Sequence, residues 1–355
     1  MRQSRKLEHL KYCMLLKDGP AINGFEDFSL IHNCLPNLAL DEVSLSCTVA
    51  GLKLAHPIII NAITGGGQEV AEVNKRLAEF AHITGSAMAV GSQYAAFENP
   101  EVESSYKIVN KYNPNGIIFA NLGAHATPKQ AQHAVKMVDA KAIQIHLNVA
   151  QELMMEEGDR NFAGYRENIA AIVDKVSVPV IVKEVGCGMA MEQVEALVET
   201  GVKALDVGGA GGTNFLAIEA ARTNNELAPE VLKWGVPTAI SAVEASENLP
   251  PHVDLIVSGG IRSPLEVVKS LVLGGKAVGI AAPIVKLTHQ NNLESAQESF
   301  EAFLSQIRQF MVLLGAKNTS ELATVPIIIS GYSREWLTAR GINIVKYGTR
   351  NKKHG

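Results

Sequence analysis

Residues 142–152, Ala-Ile-Gln-Ile-His-Leu-Asn-Val-Ala-Gln-Glu, place an amide, an imidazole and a second amide at alternate positions, with a Gln-Glu pair just beyond. Successive side chains of an extended segment point to opposite faces, so Gln144, His146 and Asn148 share one side and Ile143, Ile145 and Leu147 the other. A strand that is polar on a face it should bury serves a site. In a closed parallel barrel the apolar side packs on outer helices and the polar side faces the axis. Gln151 and Glu152 then fall just past the strand's C-terminal end, where barrel enzymes keep their chemistry. Glu152 offers the hard carboxylate oxygen that Mg²⁺ accepts alongside water and ligand phosphates, although taken alone it reads first as a solvated charge at a helix start.

Lys183 interrupts the apolar run Val178-Pro-Val-Ile-Val182 at a strand's C-terminal end. An ammonium there costs desolvation unless it meets an anion or an electron-rich ring edge, so it either stabilises negative charge on a cofactor or pairs internally with Glu184 or Glu152. Thr64, Ser92 and Asn121 close other strands and supply neutral hydrogen-bonding groups, though each singly is a common turn or cap residue. The runs Asp206-Val-Gly-Gly-Ala-Gly-Gly-Thr-Asn214 and Ser258-Gly-Gly-Ile-Arg262, with Gly279-Ile-Ala-Ala282, allow close backbone approach and could cradle a phosphate beyond the seventh and eighth strands. Arg5 and His9 stand one helical turn apart, with Lys6 beside them. They would present donors to one anion if the N-terminus folded over a barrel mouth, and form an ordinary basic terminus otherwise.

These groups need elements to position them. Apolar runs at Pro57–Thr64, Ser86–Gly91, Gly116–Leu122, Ala142–Asn148, Val178–Val185, Ala204–Gly208, Val253–Ser258 and Ala277–Ala281 alternate with amphipathic helical segments, the pattern of repeated βα units. Val236–Ser241 could be a ninth, but Ala239, Ile240 and Val243 fall at helical spacing after Pro237, so a helix over Pro237–Glu247 is predicted. Eight strands close a (β/α)8 TIM barrel. An N-terminal extension of roughly fifty residues precedes it, the remainder of the 355-residue chain forms a single domain, and no linker divides it. The segment Gly209–Trp234 is long for a strand-to-helix connection, and its Arg222–Glu226 stretch reads as mobile, a lid or an assembly surface.

Composition narrows the class. With 47% hydrophobic and 19% charged residues and a formal net charge of -4, the chain suits a large packed α/β domain and has no general attraction for nucleic acid. The four cysteines are widely spaced and make neither a zinc ribbon nor a disulfide framework. No segment reads as a signal peptide or membrane span, so a cytoplasmic location is expected.

The chain closely resembles the type 2 isopentenyl-diphosphate isomerases, flavoenzymes on an FMN-binding barrel. The matching runs are Arg5-Lys6-x-x-His9, Thr64-Gly-Gly66, Val90-Gly-Ser-Gln93, Ala120-Asn-Leu-Gly123, Gln144-Ile-His-Leu-Asn148, Gln151-Glu152, Glu157-Gly-Asp-Arg160, Lys183-Glu-Val-Gly186 and Gly211-Gly-Thr-Asn-Phe215. They span essentially the whole chain; the His-Leu-Asn, Gln-Glu and Glu-Gly-Asp-Arg series is specific, and the glycine loops are shared with many FMN barrels. The resemblance implies conversion of isopentenyl diphosphate to dimethylallyl diphosphate with reduced FMN, Mg²⁺ on the diphosphate, NADPH or another reductant priming the flavin, and a homo-oligomer, tetramer or octamer. It further implies that Ala62, Ile63, Thr64, Ser92, Asn121, Lys183 and Thr213 contact the flavin and ribityl groups, and that Gly259, Gly260, Ile261, Arg262, Ala281 and Ala282 lie near its phosphate. Arg5, Lys6, His9, Ser92, Gln93, Tyr94, His146, Asn148 and Gln151 would contact substrate and Glu152 the metal. No side-chain acid/base is assigned, and His146 becomes an orienting group. Two positions depart from the pattern: Glu156 stands where relatives often have Pro, and Tyr94 where Met is familiar.

An FMN-dependent 2-hydroxy-acid oxidoreductase would share the barrel and its phosphate site. Those enzymes resemble one another in a Ser-Asn-His-Gly-Gly-Arg run after the sixth strand, whose His is the base; here Val207-Gly-Gly-Ala-Gly-Gly212 stands instead. A non-catalytic phosphate-binding module is the third reading, against which the inward polar stripe and Lys183 count.

Overall fold

The computed structural model describes residues 2–16, 19–63 and 65–350, without the side chains of residues 2–7, 68 and 69. Twelve strands occur among the described residues: β1 (Phe28–Leu30), β2 (Cys47–Val49), β3 (Leu52–Leu54), β4 (Ile58–Ile60), β5 (Ala87–Ala89), β6 (Ile118–Gly123), β7 (Ala142–Leu147), β8 (Val180–Glu184), β9 (Ala204–Asp206), β10 (Asp254–Ser258), β11 (Ala277–Ile280) and β12 (Ile327–Ile329). Strands β4 to β11 pair in sequence order, all parallel, and β11 closes on β4. These are the eight strands predicted. The ambiguous segment after Gly235 makes one bridge, Ala210 with Pro237, and then runs as a helix over Thr238–Asn248, as its apolar spacing predicts.

Side-chain alternation explains how one barrel holds both a core and a site. Ile59, Ala87, Ala89, Phe119, Ala142, Ile181, Ala204, Ile256 and Ala277 fill the bore as one apolar cluster. Two residues further along the same strands come Asn61, Gly91, Asn121, Gln144, Lys183, Asp206, Ser258 and Gly279. The bore therefore turns polar or empty one layer before the C-terminal rim. The intervening residues, Ile143 and Ile145 among them, face outward into the core shared with the helices. Those helices start on clear signals: Thr127 and Ser263 each close a capping box with Gln130 and Glu266, and Pro follows at the first turn.

The predicted N-terminal extension divides between the two ends of the barrel. The hairpin β2–β3 puts Val49 and Leu54 against the apolar bore, and the backbone N–H of Ala50 donates to Asp254 at the start of β10, so it plugs the N-terminal end. Strand β1 pairs antiparallel with β12 and ties in the C-terminal segment. The first helix, α1 (Arg2–Leu15), lies at the opposite end across the C-terminal mouth, where Cys13 packs with Ile218 and Ala282.

One buried group sets a pH dependence of stability. His56 is 4% exposed; Nδ1 accepts from the N–H of Ile58 and Nε2 lies 3.2 Å from both the Thr84 carbonyl and the Ser86 hydroxyl. Burial pushes its pKa down to about 4, so the ring is neutral in the fold. The unfolded ring takes its proton near pH 6.5, so between there and pH 4 the unfolded state binds more protons and stability falls as pH falls. The loss should approach ~3 kcal/mol by pH 4. Urea unfolding of the wild type and His56→Gln across pH 4–7 checks this, and equal slopes for the two would exclude His56 as the cause.

Candidate active site

All described candidate residues except Gln93 line one cavity at the C-terminal mouth. It spans ≈ 1620 Å³ with its open mouth included. Thr64 and the side chains of Arg5 and Lys6 lie outside the described residues.

The floor is a buried polar network. Asp206 accepts from Asn61 Nδ2 at 2.7 Å, from Ser258 Oγ at 2.5 Å and from the Gly208 N–H. Asn61 Oδ1 accepts from Gln144 Nε2 at 2.9 Å, which leaves Gln144 Oε1 buried without a partner. Lys183 stands in this layer, 6% exposed, and donates to the backbone carbonyl of Glu184 at 2.6 Å. The internal pairing considered for it, with a carboxylate of Glu184 or Glu152, is not what forms. The Glu184 carboxylate turns away and its Oε2 collects the N–H groups of Val185, Gly186, Cys187 and Gly188. Burial pushes Lys183's pKa down, and the negative charges of Asp206 and Glu184 oppose that. A buried ammonium with no carboxylate at ion-pair distance among the described residues suits an anionic or electron-rich ligand edge.

The wall after β9 to β11 is backbone. Gly259 and Gly260 have φ of +117° and +70°, and a Cβ on Gly212 would sit 2.4 Å from the Gly260 nitrogen, so side chains are excluded where these loops meet. Arg262 crosses the same loops, donating to the carbonyls of Gly260 and Gly211 at 2.6 Å each. Ala281 and Ala282 open the helix Ala282–Gln290 and line the cavity, so the positive end of that helix lies at this wall. This cradle and Lys183 fit FMN: Gly259–Arg262 and Ala281–Ala282 would hold the phosphate, while Ala62, Ile63, Ser92, Asn121 and Thr213 line the same cavity.

The opposite wall carries the ionisable groups. His146 Nδ1 lies 2.7 Å from Asn121 Oδ1, and Asn148 donates to Glu152 Oε1 at 2.8 Å. The Asp159 N–H donates to Oε2 at 2.9 Å. The Glu-Gly-Asp-Arg run thereby acquires a physical role. A Cβ on Gly158 would fall 2.0 Å from the Glu152 carbonyl, and Arg160 gathers the carbonyls of Glu152, Met155, Gly158 and Asp159 into one tight loop beneath that carboxylate. Among the described residues no three metal-ligating side chains converge. A lone, oriented carboxylate at the mouth is the donor set Mg²⁺ uses when water and ligand phosphates complete its shell.

Two residues overlooked in the sequence organise this wall. Glu219, fully buried on the helix Phe215–Thr223, meets His9 Nε2 at 2.7 Å and Gln151 Nε2 at 2.9 Å through Oε1, and Arg222 Nε at 2.8 Å through Oε2. His9 Nε2 reaches it without hydrogen-bond alignment. Burial alone would raise the Glu219 pKa; His9, Gln151 and Arg222 hold it down to about 2. The Arg222–Glu226 stretch read as mobile therefore begins inside a helix, with Arg222 only 13% exposed, because three carboxylates fix its guanidinium.

Gln93 is fully buried; its amide donates to the Ala134 carbonyl and accepts the Asn121 N–H, so its side chain braces β6 and does not line the cavity. Tyr94 lines the cavity with its ring edge-on to His125 at 4.7 Å. Cys187 lies nearby, but burial pushes its thiol up to about 12, away from thiolate chemistry. No helix among the described residues is long and apolar enough to cross a membrane.

The FMN-dependent dehydrogenase family matches residues 112–328. Isopentenyl-diphosphate delta-isomerase of Symbiobacterium thermophilum is 40% identical over 99% of both chains. That of Moorella thermoacetica is 44% identical over 96% of this chain and 97% of its own. Among solved structures, a lactate oxidase of Pediococcus acidilactici superposes with a TM-score of 0.67 at 16% identity, covering 91% of this chain and 87% of that one. A mandelate oxidase variant with a monooxide FMN adduct gives 0.66 at 16% identity, over 90% and 95%; these two establish the fold alone. The chain belongs to the isopentenyl-diphosphate delta-isomerases, built on the barrel of the FMN-dependent dehydrogenase family.

Proposed function

We propose that the protein interconverts isopentenyl and dimethylallyl diphosphate by a redox-neutral 1,3-proton shift, with reduced FMN against Lys183 and the glycine cradle and Mg²⁺ on Glu152. One observation carries the reading: a single cavity joins a backbone phosphate cradle, a lysine buried in the floor, and His9, Gln151 and an oriented Glu152 carboxylate. Bound reduced FMN would supply the acid/base function for the proton shift. Thr64 would join the flavin contacts named above.

The chain's own groups divide the remaining work. Arg5, Lys6 and His9, all carried on α1, would with Glu152 through its metal anchor the diphosphate at the mouth, so binding energy far from the alkene would orient it. His146 and Asn148 are already engaged with Asn121 and Glu152 and act as orienting groups. Gln151 is held by Glu219 and cannot itself take a proton from carbon, so its role is placement. Ser92 and Tyr94 border the substrate space. A hydroxy-acid oxidation lacks its base here, because residues 207–212 carry no imidazole. NADPH as reductant, a cytoplasmic location and a homo-oligomer, tetramer or octamer, complete the reading.

The test is anaerobic: full-length protein with FMN, reductant, Mg²⁺ and isopentenyl diphosphate. Dimethylallyl diphosphate should accumulate over many turnovers while the flavin stays reduced. Absence of product, or one flavin oxidised per product, overturns the reading.

A further inference from the structure

We propose that Arg222 is a positioning residue that ties closure of the N-terminal helix to seating of the Glu157–Arg160 loop, so that the two sides of the mouth are set together. Its guanidinium faces three carboxylates carried by three separate pieces of chain. Nε is 2.8 Å from Glu219 Oε2 on its own helix. Nη2 is 2.7 Å from Glu157 Oε1 on the loop beneath Glu152, and Nη1 is 3.7 Å from Glu8 Oε2 on α1. The remaining oxygen of Glu219 meets His9 and Gln151. Arg222 is absent from the cavity lining, so whatever it does for ligand binding passes through these partners.

The charge balance makes it a joint. Removing the guanidinium takes a positive charge from the point where Glu8, Glu157 and the buried Glu219 converge, so their mutual repulsion rises and acts outward on α1 and the loop. Glu8 and Glu157 are about half exposed, and such contacts are weak as isolated surface pairs. Sharing one planar fork with a buried carboxylate makes them a network, in which the guanidinium reaches three directions at once. A lysine places a single point charge there and cannot span all three.

The inference rests on the proposed assignment of His9 to the substrate side and Glu152 to the metal side, and its test separates the two. Hydrogen exchange of the full chain without ligand comes first. Arg222→Gln should speed exchange in residues 8–16 and 155–160 together and leave the helix Leu293–Leu314 unchanged, with Arg222→Lys intermediate. In turnover, KM for isopentenyl diphosphate and the half-saturating Mg²⁺ should both rise about tenfold, a scale typical of coupling between contacting residues, with kcat little altered. Exchange rising in only one of the two segments, or in neither, overturns the joint, as does a fall in kcat with KM unmoved. If Arg222→Gln fails to fold, Arg222→Lys and Glu157→Gln carry the same comparison. A wild type that makes no dimethylallyl diphosphate removes the functional reading, while the exchange comparison still decides the joint.

Discussion

Glu152→Gln should lower Mg²⁺-dependent turnover by about a hundred- to a thousandfold, the scale of several kcal/mol that a metal supplies to transition-state charge. The substitution changes charge at nearly constant size, so its effect reads the carboxylate itself. Both oxygens of Glu152 are already aimed, one by Asn148 Nδ2 and one by the Asp159 N–H, and each keeps a further lone pair for a cation. A glutamine presents one NH₂ where two donors converge, so it loses a hydrogen bond as well as the charge. Flavin titration of the variant should remain close to wild type, because the cradle at Gly259–Arg262 and Ala281–Ala282 takes no support from Glu152. Glu152→Asp, which keeps the charge on a shorter arm, should fall between the two. Full activity with an unchanged Mg²⁺ requirement in Glu152→Gln would exclude this residue as the metal ligand.

Much of this site was legible because alternation along a strand is a strict rule. Once the eight apolar runs are placed in a barrel, period two assigns Gln144 and His146 to the axis and Ile143 and Ile145 to the helices, and the structure agrees. What stayed hidden depends on contacts between distant residues. Arg222 sits in a polar stretch that looks like a loop, and its partners Glu157 and Glu8 lie 65 and 214 positions away, so nothing local marks it as fixed. Glu219 looks like an ordinary helix-surface charge until α1 covers it. Gln93 follows Ser92 at the rim, yet the turn there sends its side chain inward among backbone groups; adjacency in sequence says nothing about that rotation. The residues best hidden were thus the ones that hold other residues in place.

Lys183→Met should cost activity by about a hundred- to a thousandfold, the range seen when one preorganised charge-stabilising donor is removed, without destabilising the ligand-free protein. Two features of the floor support this unusual pairing. The ammonium is buried and its one hydrogen bond among the described residues goes to a carbonyl, so in the absence of a ligand it bears a desolvation cost that methionine does not. Asp206 does not depend on it for satisfaction, since Asn61, Ser258 and the Gly208 N–H already donate to that carboxylate. Thermal unfolding of the ligand-free variant should therefore match or exceed that of wild type. Loading with FMN exposes the functional loss: with the positive charge gone, an anionic reduced flavin is less favoured, and the two-electron potential should drop by about 30–60 mV, equivalent to roughly 1.4–2.8 kcal/mol. The absorbance of the reduced flavin should shift toward the neutral form at the same pH. Lys183→Arg keeps a charge but not a compact one, and a planar fork in a layer this tightly bonded should recover the potential better than the rate. An unchanged potential with activity lost would place Lys183 in binding rather than charge stabilisation, and near-wild-type turnover would remove it from the chemistry altogether.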